Sequence, residues 1–175
     1  MSLLEQIAGA DERGLATSAL ACLERCLPPA ADGGASEPLR PLWASCEDGR
    51  DWGDRLEAAR AAMAGVDETA SPVPEMLGAA PSEWAAEPLR AWARTCSLLS
   101  LEFHRLFDMP VGAGASGDGP LVAGELRRQS EILETLAESP DPAGGARGLL
   151  GALERSTEGR RVLRAVISRR ARGRG

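Results

Sequence analysis

This chain predicts an all-α fold, a six- to seven-helix bundle with a repeated helical unit, on three observations. Apolar residues recur every third or fourth position along most of its 175 residues, and no stretch alternates as a strand does. The aromatics are only four tryptophans and two phenylalanines. The core then falls to Leu, Ala and Val, which suit closely approaching helices better than a β-sandwich. The chain also repeats itself. Glu37-Pro38-Leu39-Arg40 returns as Glu87-Pro88-Leu89-Arg90, Cys46 as Cys96 and Arg55-Leu56 as Arg105-Leu106, all at an offset of 50 residues. Self-similarity at such a period marks helical units that bury their apolar faces by stacking on each other.

The first helix is expected from Asp11, a good N-cap, or from as far back as Leu3. Leu15, Ala19, Leu20, Leu23, Cys26 and Leu27 share one face, and Pro28-Pro29 with Asp32-Gly33-Gly34 end the helix. Ser36-Glu37-Pro38 reads as an N-cap with first-turn Glu and Pro, opening a short helix that buries Leu39, Leu42, Trp43 and Cys46. Asp48-Gly49 breaks the chain, and 51–64 forms the next helix through Leu56, Ala59 and Met63. Residues 66–82, with Pro72, Pro74 and Pro81, are expected as a loop holding at most one turn around Glu75-Met76-Leu77. From Glu87 to Asp108 the apolar positions 89, 92, 93, 96, 99, 103, 106 and 107 give a five-turn stripe. Residues 112–119 form a glycine-rich loop. Helix 120–138 follows, with Pro120 at its start and Val122, Leu126, Leu133 and Leu136 inward. Pro140, Pro142, Gly144 and Gly145 then separate it from Leu149, Leu150 and Leu153, and the last helix is expected over about Ser156 to Arg170.

Charge is placed unevenly. Residues 159–175 carry seven arginines and no acid, a local +7 in a chain of net −6, so 1–158 hold −13. The expected organisation is an acidic helical bundle over 1–155 and a basic amphipathic helix and tail over 156–175, both in one domain. All 20 basic residues are arginine, for which a high-G+C genome is the economical explanation. No apolar run is long enough to span a membrane, the N-terminus lacks the basic start of a secretory signal, and four cysteines are too few for a disulfide framework. A cytoplasmic location follows as the expectation.

Few motifs carry chemistry. Gly112-Ala113-Gly114-Ala115-Ser116-Gly117 spells G-x-G-x-x-G, but a helix and Met109-Pro110 precede it where a dinucleotide site needs a strand, so a linker is expected. Cys22 and Cys26 lie one turn apart. The chain has a single histidine and the other two cysteines occupy apolar faces, so buried thiols are expected rather than a metal site, with a regulatory disulfide left open. Ser100, His104 and Asp108 share one helix face, whereas a nucleophile and its base converge from different elements; a surface or half-buried histidine bonded to Asp108 is expected. The paired carboxylates Glu47/Asp48, Asp51/Asp54 and Glu131/Glu134 read as solvated faces. No catalytic residue, cofactor or metal is expected.

The C-terminal stripe remains. Arg160, Arg161, Arg164, Arg169 and Arg170 alternate with Val162, Leu163, Val166 and Ile167 and are the candidate partner-binding residues. Four readings fit: docking on the chain's own acidic body, an acidic protein partner, a nucleic-acid backbone, or an anionic membrane surface. The acidic body repels nucleic acid, and no aromatic in the stripe stacks on bases, so protein or intramolecular docking ranks first.

Three stretches carry a resemblance: Leu20-Ala21-Cys22-Leu23-Glu24-Arg25-Cys26-Leu27-Pro28, Glu37-Pro38-Leu39-Arg40-Pro41-Leu42-Trp43, and Ser156-Thr157-Glu158-Gly159-Arg160-Arg161-Val162-Leu163-Arg164-Ala165-Val166. Together they resemble the CATRA-associated small proteins of high-G+C bacteria, found beside caspase-like and TPR-containing genes in conflict systems. The resemblance implies a small helical accessory protein with no catalytic residues to carry over. The function expected is thus a non-enzymatic accessory or adaptor that binds a protein partner, such as a caspase-like or TPR-containing neighbour, in a conflict (defence) or signalling system. The alternative is a nucleic-acid-binding regulator that uses the arginine helix.

Overall fold

The computed structural model describes residues 1–28, 37–108, 117–138 and 142–174. Among them run eight α-helices and no strand: α1 (Leu3–Gly9), α2 (Glu12–Cys26), a 3-10 turn (Glu37–Leu39) leading into α3 (Arg40–Ser45), α4 (Trp52–Met63), α5 (Val73–Gly78), α6 (Ala86–Phe107), α7 (Pro120–Ala137) and α8 (Pro142–Arg172). The fold is an all-α bundle. No helix among the described residues is long and apolar enough to cross a membrane.

Its axis is α2. Every residue from Gly14 to Cys26 is buried, and α3, α5, α6, α7 and α8 all pack against this helix. A helix covered on all sides needs small residues where neighbours cross closely and apolar ones between them, and Gly14, Ala16, Ala19 and Ala21 alternate with Leu15, Leu20 and Leu23. The expected first helix is in fact two. Ser2 and Glu5 form a capping box at the start of α1, the chain turns extended at Ala10, and Asp11 caps α2 by accepting from the Gly14 amide at 2.8 Å.

The self-similar stretches take different shapes. Residues 37–65 hold the 3-10 turn, α3 and α4, whereas 87–108 lie in the single helix α6. Equivalent positions are nevertheless buried alike, Leu39 with Leu89 and Cys46 with Cys96. The middle of the bundle is α2, not a stacked pair of like units.

Tryptophans fasten the α3–α5 layer. Trp52 is met edge-on by Trp84 and Trp92, with ring centroids 5.2 and 5.6 Å away. Its indole donates to the Pro81 carbonyl, and that of Trp92 to the Met76 carbonyl. Trp84 lies so close over Gly49 (φ +73°) that a Cβ there would fall 2.4 Å from the indole, so this turn requires glycine on both conformational and steric grounds. Arg60 reaches from α4 to the carbonyls of Leu77, Gly78 and Ala80 and closes the end of α5.

The last helix differs most from expectation. Instead of a break before Ser156, α8 runs unbroken for 31 residues, and the expected boundary between 155 and 156 falls in its middle. It packs on α2, α7 and α6. Gly148 is buried, and at Gly159 a Cβ would come within 2.7 Å of Arg25 Cδ and 3.0 Å of Arg128 Cδ. At Gly159 the α8 backbone closes over an arginine.

Candidate functional site

The groups that sequence reasoning missed lie under α8. At the end of α2, Arg25 donates from Nε and Nη2 to the two carboxylate oxygens of Glu125 on α7, at 2.7 and 2.6 Å, and both side chains are wholly buried. Arginine supplies this paired, planar donor geometry and lysine does not. Glu125 Oε1 also accepts from Ser100 Oγ at 2.7 Å and from Gln129 Nε2 at 2.8 Å, while Ser97 Oγ donates to Gln129 Oε1 at 2.6 Å. Burial alone would raise the Glu125 carboxyl; the Arg25 charge and hydrogen bonds outweigh it, helped by His104 and Gln129, and hold it at about 2. Burial likewise opposes the Arg25 charge, but Glu125 prevails and keeps the guanidinium protonated.

His104 belongs to this cluster and not to the surface. It is buried, and Nδ1 sits 2.7 Å from the Ser100 carbonyl, which fixes Nδ1 as the donor. Nε2 lies 3.5 Å from Glu125 Oε2, too long for a hydrogen bond, and has no hydrogen-bond partner. Burial drives the histidine below its usual pKa, outweighing the attraction of Glu125, so the ring is neutral and the contact is not an ion pair. Asp108 does not touch the imidazole. Its carboxylate caps α7, accepting from the amides of Leu121 and Val122. Ser100, in turn, serves Glu125, so the Ser-His-Asp trio divides among three separate tasks.

Above the cluster, the five candidate arginines separate by direction. Arg160 is buried and bonds Glu24 at 3.3 Å, and Glu24 also accepts from the Trp43 indole. Arg170 donates to the carbonyls of Leu106 and Asp108 and so closes the end of α6. Arg164 is half-buried, with Nε and Nη2 shielded from solvent and without an acceptor among the described residues. Arg161 and Arg169 are exposed, as are Arg172 and Arg174. At 3.6 residues per turn, Arg161 and Arg172 stand about 20° apart around α8, with Arg169 about 60° further round. The inward half of the basic stripe is thus spent on the body, and the outward half faces water.

The remaining candidates are structural. Cys22, Cys26, Cys46 and Cys96 are free and buried, and burial pushes the Cys22 and Cys46 thiols up to about 12, far from a reactive thiolate. Cys26 and Cys96 are raised by burial too. Asp48 and Asp51 form exposed pairs with Arg50 and Arg55, and Glu131 meets Arg155 at 3.5 Å. Among the described residues no three His, Cys, Asp or Glu side chains are placed to hold a metal ion. Of the G-x-G-x-x-G stretch, residues 112–116 lie outside the described residues, as does Ser36 of the expected N-cap. Comparison with protein-family models, with curated proteins and with solved structures finds no match for the chain.

Proposed function

We propose that the protein is a non-enzymatic helical adaptor, which holds an acidic surface of a partner protein against the outward face of α8. The observation that carries this reading is the division of the arginines. Arg160 and Arg170 are engaged with the body, whereas Arg161, Arg169 and Arg172 project from one side of the seated helix, with no acid among the described residues bonded to them. A row of fixed, solvated guanidiniums favours carboxylates by charge and by two-point hydrogen bonding. Exposed Val162 lies beside them and gives the face an apolar contact as well. The converging polar groups of the interior support the same reading. Arg25, Glu125, Ser100 and Gln129 are bonded to one another out of reach of solvent and shape the core instead of presenting a reactive atom. The resemblance to CATRA-associated proteins suggests where to look, a caspase-like or TPR-containing protein in a conflict or signalling cassette of the cytoplasm.

The test is size-exclusion and titration against the products of neighbouring genes, using the wild type and the triple variant Arg161→Glu, Arg169→Glu, Arg172→Glu. These side chains are exposed, so the variant is expected to fold normally. Its affinity should fall by at least about tenfold, and wild-type binding should weaken steeply with salt. An unchanged affinity would refute the assignment of the face. Salt-sensitive binding to duplex DNA, without binding to any neighbouring protein, would replace the adaptor by a nucleic-acid regulator.

A further inference from the structure

Beside the buried ion pairs, the end of α2 and the 160–168 stretch of α8 enclose a cleft of about 360 Å³. Its wall is mostly apolar, with Leu27 just beyond α2, Phe103 from α6, and Leu163 and Ile167 from α8. Arg160 and Arg164 enter the same cleft. A volume of this size and a wall of this kind, with few polar groups, are those of a small-molecule site.

The charges at the cleft do not cancel. Arg25 is answered by Glu125 and Arg160 by Glu24. Arg164 is answered by neither: its Nε and Nη2 are shielded from solvent and have no acceptor among the described residues. Leaving shielded donors unbonded is costly, and more so for a charged group. The surplus charge is felt next door, since burial and the Arg164 charge together hold Arg160 below the usual arginine value despite Glu24. One monovalent anion would answer the spare guanidinium and ease that repulsion.

The geometry of the donors narrows the choice. Nε and Nη2 are the two atoms with which Arg25 grips the Glu125 carboxylate in the same protein, at 2.7 and 2.6 Å. They lie on one edge of the guanidinium and match a planar, two-oxygen acceptor. We propose that the cleft between α2, α6 and α8 binds a small amphiphilic carboxylate, its apolar chain along Leu27, Phe103, Leu163 and Ile167 and its carboxylate on the Arg164 guanidinium, which turns its unbonded edge into the cleft to receive it. This site is separate from the outward face of α8: Arg164 and Ile167 line the cleft and are half-buried, whereas Arg161 and Arg172 are exposed and do not line it. Either assignment stands or falls without the other.

Calorimetric titration of the full chain with decanoate, decan-1-ol and acetate tests it. Decanoate is expected to bind one-to-one in the sub-millimolar range, with decan-1-ol and acetate each at least about tenfold weaker, because each lacks one half of the recognition. Arg164→Met removes an unanswered charge and should keep or raise the melting temperature while weakening decanoate at least about tenfold. Arg161→Met, on the outward side, should bind as the wild type does. Ile167→Trp fills the cleft from a half-buried position and should abolish binding with the fold retained. No binding of decanoate by the wild type at millimolar concentration would overturn the proposal. So would equal affinity for decan-1-ol, or unchanged affinity in Arg164→Met or in a folded Ile167→Trp.

Discussion

Replacing Glu125 by alanine is expected to destabilise the fold by about 3–5 kcal/mol, the cost of leaving one member of a buried ion pair without the other. Arg25 has no route to solvent: its side chain is wholly covered, and Gly159 of α8 closes over its Cδ. Ser100 and Gln129 would lose their acceptor in the same stroke. Denaturant unfolding followed by circular dichroism reads the loss as a lower midpoint at unchanged slope. The double variant Arg25→Met, Glu125→Leu should recover most of it, because the pair's attraction is largely offset by the cost of dehydrating both charges. Acid acts at the same place. The Glu125 carboxyl is held at about 2, so its stabilising effect is complete above the ordinary carboxylate value of 4.5 and drains away as pH falls from there through about 2. His104 is held below its ordinary 6.5, so protons favour the unfolded chain already as pH falls below that value. Both shifts have one sign, and stability should fall on the acid side, beginning near pH 6.5. Replacement of His104 by a neutral residue removes the first part of that decline, and the part below pH 4.5 remains.

Trp92→Ala should cost a comparable amount, about 3–5 kcal/mol, by a different cause. The indole is almost wholly buried, meets Trp52 edge to face at 5.6 Å, and donates to the Met76 carbonyl at 2.8 Å. Truncation leaves a cavity between α4, α5 and α6 and an unbonded carbonyl at α5. Trp92→Phe keeps most of the volume and loses the donor, so it should fall between the wild type and alanine. Thermal melts of the three proteins check the order. Equal melting of wild type and Trp92→Ala would mean that the α3–α5 layer contributes little to the cooperative fold.

Where a helix boundary rests on a local signal, it is legible from the chain. Asp11 caps α2, Pro120 opens α7 and Trp52–Met63 keeps its apolar period. The continuity of α8 is hidden by its own glycines. A glycine weakens a helix by about 1 kcal/mol, which packing on two neighbours overrides, and the space it leaves is what the neighbours use. Gly144 and Gly145 read as breakers in the chain yet lie within α8, and Gly159 serves as a contact in the fold. The buried cluster is hidden for another reason. Arg25 and Glu125 are 100 residues apart, and neither shows in sequence that the other will cover its charge. A trace exists, since Glu125 and Gln129 occupy the same helix face as Val122, Ile132 and Leu136, where a solvated residue does not belong. Ser100 and His104 likewise continue the Leu89–Ala93–Cys96 face of α6 while Leu106 turns outward. As for the arginine stripe, sequence marks the charge but not its direction. Which guanidiniums turn inward depends on where Glu24 and the end of α6 lie, and only the packed structure contains that.

The most direct measurement is native-state amide hydrogen exchange along α8, since everything above requires that helix to be seated on the body by Arg160, Leu163 and Gly159. Amides from 156 to 167 should exchange as slowly as those of α2 between 17 and 24, through global unfolding alone. Fast exchange in α8 with α2 still protected would make it a detachable arm. Neither the split between inward and outward arginines nor the cleft beneath them would survive that result.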